Sequence, residues 1–185
     1  MTVPHTHPPL PDQPAVIVIT GAMAAGKSTV ADALSRRLPL AAHVRGDLFR
    51  RFIVSGQAPM DPPLSERARH QLELRHTLAA QVADGYARAG ITAVVQDLLL
   101  GDHLEAFVEK LSSRPSYAFV LTPDATTLAA RDSDRPKHTY GAWTAEEFDT
   151  AARSTTGGLH VDNTGWSVEE TVTYLLNHLQ AARMR

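Results

Sequence analysis

The strongest chemical signal in the chain is Gly21-Ala22-Met23-Ala24-Ala25-Gly26-Lys27-Ser28, with Thr29 directly after it. Glycines flank a short span and a lysine and a hydroxyl follow. Glycine lets the backbone curl until successive N–H groups face one anion, and a helix start adds its own partial positive charge. A lysine at this spacing neutralises the outer phosphates of a nucleoside triphosphate, and the Ser28 hydroxyl is a hard oxygen donor suited to Mg²⁺. The segment from Gly21 to Thr29 therefore reads as a phosphate-binding loop for ATP or GTP with Mg²⁺. The alternative is an ordinary glycine-containing turn, and the flanks argue against it. Ala15–Thr20 is a β-branched apolar run fit for a strand buried on both faces, and Lys27–Leu38 has helical character closed by Pro39.

The rest of the chain must position this loop, and strands alternate with helices throughout. Ala41–Val44 reads as a second strand leading into Gly46-Asp47, with a helix over 47–54 and a proline-rich loop over 57–63. Residues 64–89 have helical spacing, with Leu64, Ala68, Leu72, Leu78, Val82 and Tyr86 as the core stripe and Gly90 as the stop. Strands follow at 91–96, 117–121 and 159–161. Helix starts are signalled by capping boxes at Asp102-x-x-Glu105, Thr144-x-x-Glu147 and Ser167-x-x-Glu170, and by Thr122-Pro123 as N-cap and first helical residue. Val168, Val172, Leu175, Leu176 and Leu179 form the core face of the last helix. The alternation predicts a three-layer α/β domain with a parallel sheet over residues 14–185, preceded by a proline-rich tail at 1–13.

Composition narrows the classes of function. A chain of 185 residues suits one core. A formal net charge of −2 argues against non-specific nucleic-acid binding. Without cysteine there is no disulfide, thiolate metal site or thiol nucleophile. The tail lacks the apolar stretch of a signal peptide and no run is long enough to span a membrane, so the expectation is a cytoplasmic protein without a membrane partner. Its His5 and His7 read as part of a solvated tail. A monomer and a homodimer are both compatible with the sequence.

The chain has no N-K-x-D guanine signature and no Asp-Glu closing a strand, as a GTPase or an ATPase motor would carry. The short length, the early Asp47 and the late arginine cluster point instead to a kinase. The segment ITGAMAAGKST, Gly46-Asp47-x-Phe49 and Arg131-Asp-Ser-Asp-Arg135-Pro-Lys137 together resemble the small P-loop kinases around chloramphenicol phosphotransferase and the zeta-toxin-like kinases. The resemblance covers most of the chain after the tail. It implies a five-stranded parallel sheet of order 2-3-1-4-5, a general base at the end of the second strand, and an arginine-bearing lid after the fourth.

On that basis Asp47 is the expected catalytic base, taking the proton of an acceptor hydroxyl from the end of a parallel strand next to the phosphate-loop strand; the competing role is a helix N-cap. Asp97 either orders Mg²⁺ through water, holds the acceptor, or binds loop amides. Arg131 and Arg135, with Lys137 behind them, either stabilise the transferring phosphoryl group from a lid or form a solvated helix end paired with Asp132 and Asp134. Asn163 and Thr164, in Asp162-Asn163-Thr164-Gly165, either pass beside the nucleotide base or make a tight turn. Phe49, Phe52 and Met60 wall an acceptor pocket or pack in the core. Arg67, Arg69 and Arg75 form a solvated helix side or meet an anionic substrate. Trp143 and Trp166 carry no assigned role. The expected activity is transfer of the ATP γ-phosphate to a hydroxyl of a small molecule such as an antibiotic or a sugar-like metabolite. A nucleoside, nucleotide or nucleic-acid-end kinase is the alternative enzyme, and a nucleotide-binding regulatory protein the alternative outside enzymes.

Overall fold

The computed structural model describes residue 11, residues 13–133 and residues 144–185. Most of the expected tail, together with Arg135, Lys137 and Trp143, lies outside the described residues. Strand β1 (Val16–Gly21) is buried along its whole length and leads through the loop into α1 (Lys27–Arg37). The chain continues through β2 (Ala41–Arg45), α2 (Gly46–Arg51), α3 (Glu66–Arg88), β3 (Thr92–Gln96), α4 (His103–Lys110) and β4 (Ser116–Leu121). It closes with α5 (Ala125–Ser133), α6 (Ala145–Arg153), β5 (Leu159–Val161), α7 (Val168–Asn177) and β6 (Arg183–Met184).

Strands β1 to β5 are parallel in the order β2-β3-β1-β4-β5, as expected. Their C-terminal ends therefore meet at one rim, where ligands bind in open α/β sheets. A sixth strand was not foreseen. β6 runs antiparallel along the first residues of β4, pairing Ser116 with Met184 and Tyr117 with Arg183. The three residues of β5 cover only the second half of β4's outer edge, and β6 satisfies part of what is left. Two residues of Arg-Met carry no strand periodicity, so pairing alone makes this strand.

Both faces of the sheet are covered. Ile17, Ile19, Phe119 and Leu121 face a core shared with Leu34 of α1 and Leu175 of α7. Val16, Val18, Val95 and Val120 face the other layer, with Ala80 and Ala83 of α3 and Phe107 of α4. Strict alternation along β1 sends successive side chains into opposite cores.

Several local expectations need correction. The buried stripe of α3 is Ala68, His76, Ala79, Ala80, Ala83 and Asp84, while Val82 and Tyr86 are exposed. Small alanines let the helix approach the sheet closely, so the larger apolar residues turn away. Val168 is exposed rather than packed, whereas Val172, Leu175, Leu176 and Leu179 are buried as expected. Asp102 makes no capping hydrogen bond. Thr122-Pro123 does not open α5; Asp124 does, its carboxylate accepting from Thr127 N at 2.6 Å. The capping boxes at Thr144 and Ser167 are both formed.

Candidate active site

The phosphate loop joins the most buried strand to α1. Gly21 has φ 139° and lies against the Leu121 carbonyl of β4, which a Cβ at this position would overlap. Ala24 holds a left-handed backbone with φ 64°. For a residue with a side chain this costs about 1 kcal/mol or more, strain of the kind that collects at binding loops. A turn from Ala25 N to Ala22 O (3.2 Å) closes the curl, and Val30 N to Gly26 O (2.9 Å) starts the helix. Lys27 Nζ donates to Gly21 O at 3.0 Å and Ala22 O at 2.7 Å, which keeps the ammonium folded over the loop.

Ser28 Oγ donates to Gln96 Oε1 at 3.1 Å. Gln96 ends β3 and is buried. Sequence reasoning passed over it, although a polar residue closing the apolar run Thr92–Val95 was the available signal. The next residue, Asp97, is fully buried. Its Oδ2 accepts from Arg75 Nε at 3.0 Å, its Oδ1 pairs with Arg75 Nη2, and Leu98 N donates to Oδ1 at 2.7 Å. Arg75 thus leaves the solvated face on which its spacing put it, while Arg67 and Arg69 stay exposed. Gly46 packs directly on this carboxylate, and a Cβ there would overlap Asp97 Oδ2 and Cγ. The end of β2 is in this way seated on the end of β3.

Asp47 follows as the second residue of α2. The N-cap is Arg45 and no side chain caps this helix, so the capping role weighed for Asp47 is overturned. Its carboxylate is instead bracketed by cations: Oδ2 meets Arg51 Nη2 at 2.8 Å, and Oδ1 lies 3.8 Å from Arg45 Nε. Oδ1 is buried and has no hydrogen-bond donor among the described residues. One strand separates β2 from β1, so the strand that leads into Asp47 runs two strand spacings, about 10 Å, from the phosphate-loop strand and not beside it. Nearby His43 is held below its ordinary pKa by burial, with Arg45 adding to the effect. Phe49 packs against the core, while Phe52 lies edge-on to it at 6.1 Å and is 71% exposed.

On the other side of the loop, α5 and the turn after β5 converge. Arg131 Nη1 donates to Ala25 O and Nη2 to Asn163 O, both at 3.3 Å. Asn163 Nδ2 donates to the same Ala25 carbonyl at 3.3 Å, and Asp124 N donates to Thr164 Oγ1 at 2.7 Å. Asn163 is 2% exposed and its Oδ1 has no partner among the described residues. Together with Ala24, Gly26, Trp166 and Val168, Arg131 and Asn163 line a cavity of 330 Å³. The Trp166 ring is tilted against Tyr174 with centroids 5.1 Å apart. Trp166 was the residue missed here; an aromatic directly after Asp162–Gly165 was the only signal. Arg131, Asn163 and the loop are brought together, whereas Asp47 stands apart at the other side of the rim. A larger hollow of 520 Å³, lined by Arg114, Arg183, Met184 and Arg185, lies at the opposite end of the sheet.

A family model described as an AAA domain matches residues 16–156. In fold, the chain is similar to APS kinase of Mycobacterium tuberculosis in complex with AMPPNP and APS, at 18% identity over 92% of this chain and 99% of that one, with TM-score 0.67. A sugar kinase from Janibacter sp. HTCC2649 is similar at 18% identity, over 92% and 95% of the two chains, with TM-score 0.64. The tunicamycin resistance protein of Deinococcus radiodurans is similar at 13% identity, over 93% and 98%, with TM-score 0.60. Identities this low establish the fold alone. No curated protein sequence matches the chain. Among the described residues, no helix is long and apolar enough to cross a membrane, and no cluster of three or more His, Asp or Glu could hold a metal ion.

Proposed function

The chain belongs to the AAA domain family, and from that premise we propose that it is an ATP-dependent kinase that moves the γ-phosphate to a hydroxyl group of a small molecule. The single observation that carries this reading is Asp47. It is a carboxylate just past the end of β2, at the ligand-binding rim, with one oxygen lacking a hydrogen-bond donor, and β2 runs about 10 Å from the phosphate-loop strand. That span leaves room for a γ-phosphate and an acceptor hydroxyl between them. A binding module that only holds nucleotide has no use for such a group. The narrower likeness to chloramphenicol phosphotransferase and the zeta-toxin-like kinases belongs to this same proposal, and the sugar kinase and resistance-protein folds are in keeping with it.

The residues divide into two halves. The backbone amides of 22–26 and Lys27 receive the phosphates, and the cavity walled by Arg131, Asn163 and Trp166 takes the nucleotide base. Mg²⁺ suits the donor set, because it keeps most of its shell as water and phosphate oxygens and needs few protein ligands. Ser28 Oγ would ligate the ion, and Asp97, whose oxygens are committed to Arg75 and Leu98 N, would reach it only through water. The ion's contribution is neutralisation of phosphate charge. Asp47 accepts the hydroxyl proton as the acceptor oxygen bonds to the γ-phosphorus and the β,γ-bridging oxygen departs with ADP. Arg131 neutralises charge from the α5 side, with Arg135 the expected second lid arginine.

Turnover of the Asp47→Asn protein tests the proposal. The variant should bind Mg-ATP as the parent does, and acceptor-dependent ADP release should fall on the order of 10²-fold. If it releases ADP at the parental rate in the presence of an acceptor, Asp47 is not the base.

A further inference from the structure

The acceptor half of the rim carries an excess of positive charge that the reaction itself does not call for. Arg45, at the end of β2, and Arg51, in α2, approach opposite oxygens of one carboxylate, Asp47. Both guanidiniums remain open to solvent, with 45% and 69% of their side chains exposed. Arg50 lies on the same short helix. Its Nη2 is tied to Ala58 O at 2.7 Å, while its Nε is buried without a hydrogen-bond partner among the described residues. Behind them, Arg75 and Asp97 cancel. Two guanidiniums thus bracket one carboxylate, Asp47, and a third stands on the same short helix.

This arrangement hinders Asp47 acting alone. Its two oxygens are each drawn toward a guanidinium and away from an incoming hydroxyl. An oxyanion arriving with the substrate would change that. It would compete for the same guanidinium donors, which match phosphate, sulfate or carboxylate geometry, and so release Asp47 toward the hydroxyl. We propose that the acceptor is an anion, carrying a phosphate, sulfate or carboxylate group near the hydroxyl it presents, and that Arg45 and Arg51 bind that group. Neutral sugars and neutral antibiotics are then poor acceptors. The inference rests on the kinase reading, since it needs an acceptor at this rim.

The test uses radiolabelled sulfate as the probe, with the full-length protein saturated in Mg²⁺ and AMPPNP so that the phosphate loop is filled. Equilibrium dialysis should give one saturable sulfate site. Replacing both cations, Arg45→Gln with Arg51→Gln, should weaken it at least tenfold without changing AMPPNP affinity. Asp47→Asn removes the competing carboxylate and should tighten sulfate binding severalfold, a result that a merely structural role for the arginines would not give. Absence of a saturable site in the nucleotide-loaded protein overturns the proposal. Equal affinity in the double variant, or weaker binding in Asp47→Asn, does so as well. Should the double variant not fold, the Asp47→Asn and single Arg45→Gln measurements decide alone. Failure of the kinase reading shows separately, as the absence of any acceptor-dependent ADP release by the parent protein.

Discussion

Acidification should destabilise this protein through one buried histidine, His76 of α3. It is 2% exposed, and its Nε2 has no hydrogen-bond partner among the described residues. Its ring meets that of His103 on α4 edge-on at 5.5 Å. Burial drives its pKa from 6.5 down to about 4; the nearby Asp97 carboxylate opposes the shift, Arg75 and His103 add to it, and Glu73, itself paired with Lys110, opposes it. A pKa depressed in the fold means that the unfolded chain binds the proton more readily. The stability contribution is therefore whole above about pH 6.5 and is lost as pH falls toward 4. Linkage between these two values gives a loss of about 2 kcal/mol at pH 5, rising to about 3 kcal/mol below pH 4. For a chain of this size 2 kcal/mol corresponds to a fall in Tm of roughly 4–8 °C. Urea denaturation of the parent and of His76→Phe at pH 7, 6 and 5 measures it. Phenylalanine keeps the ring and cannot titrate, so the variant should lose about 2 kcal/mol less than the parent between pH 7 and 5. Parallel pH dependences for the two proteins would refute the reasoning.

Two further outcomes follow from close contacts at the rim. Gly46→Ala places a methyl group on the Asp97 carboxylate, and disrupting its buried pairing with Arg75 should cost about 3 kcal/mol or more in chemical denaturation; a loss below about 1 kcal/mol would mean that Asp97 can step aside. Trp166→Ala removes one wall of the 330 Å³ cavity, and nucleotide affinity by calorimetry should fall about tenfold; unchanged affinity would place the base elsewhere.

The phosphate loop, the alternation of strands and helices and the order of the parallel sheet were all legible in the chain. Each rests on local physics or on a resemblance carried by contiguous residues. The capping boxes at Thr144 and Ser167 were legible too, because each side chain meets a partner only three residues away, although the same spacing at Asp102 formed no cap. The helix faces were less so. Periodicity located α3, but its close packing on the sheet chose alanines for the buried stripe and left Val82 and Tyr86 outside.

The sequence alone pointed to a nucleoside triphosphate site and to the residues that would hold its phosphates, since a glycine-flanked loop, a lysine and a hydroxyl fall within nine residues. It also placed Asp47 as a carboxylate worth testing. Only the tertiary structure decided what surrounds that carboxylate. Arg51 is one helical turn away, but whether it turned inward was not written in its spacing. Arg75 reaches Asp97 from 22 residues upstream, and Asn163 meets Ala25 across 138 residues. Such pairings arise because parallel strands far apart in sequence end at one rim, and a side chain's partner there is set by strand order and register rather than by its neighbours in the chain.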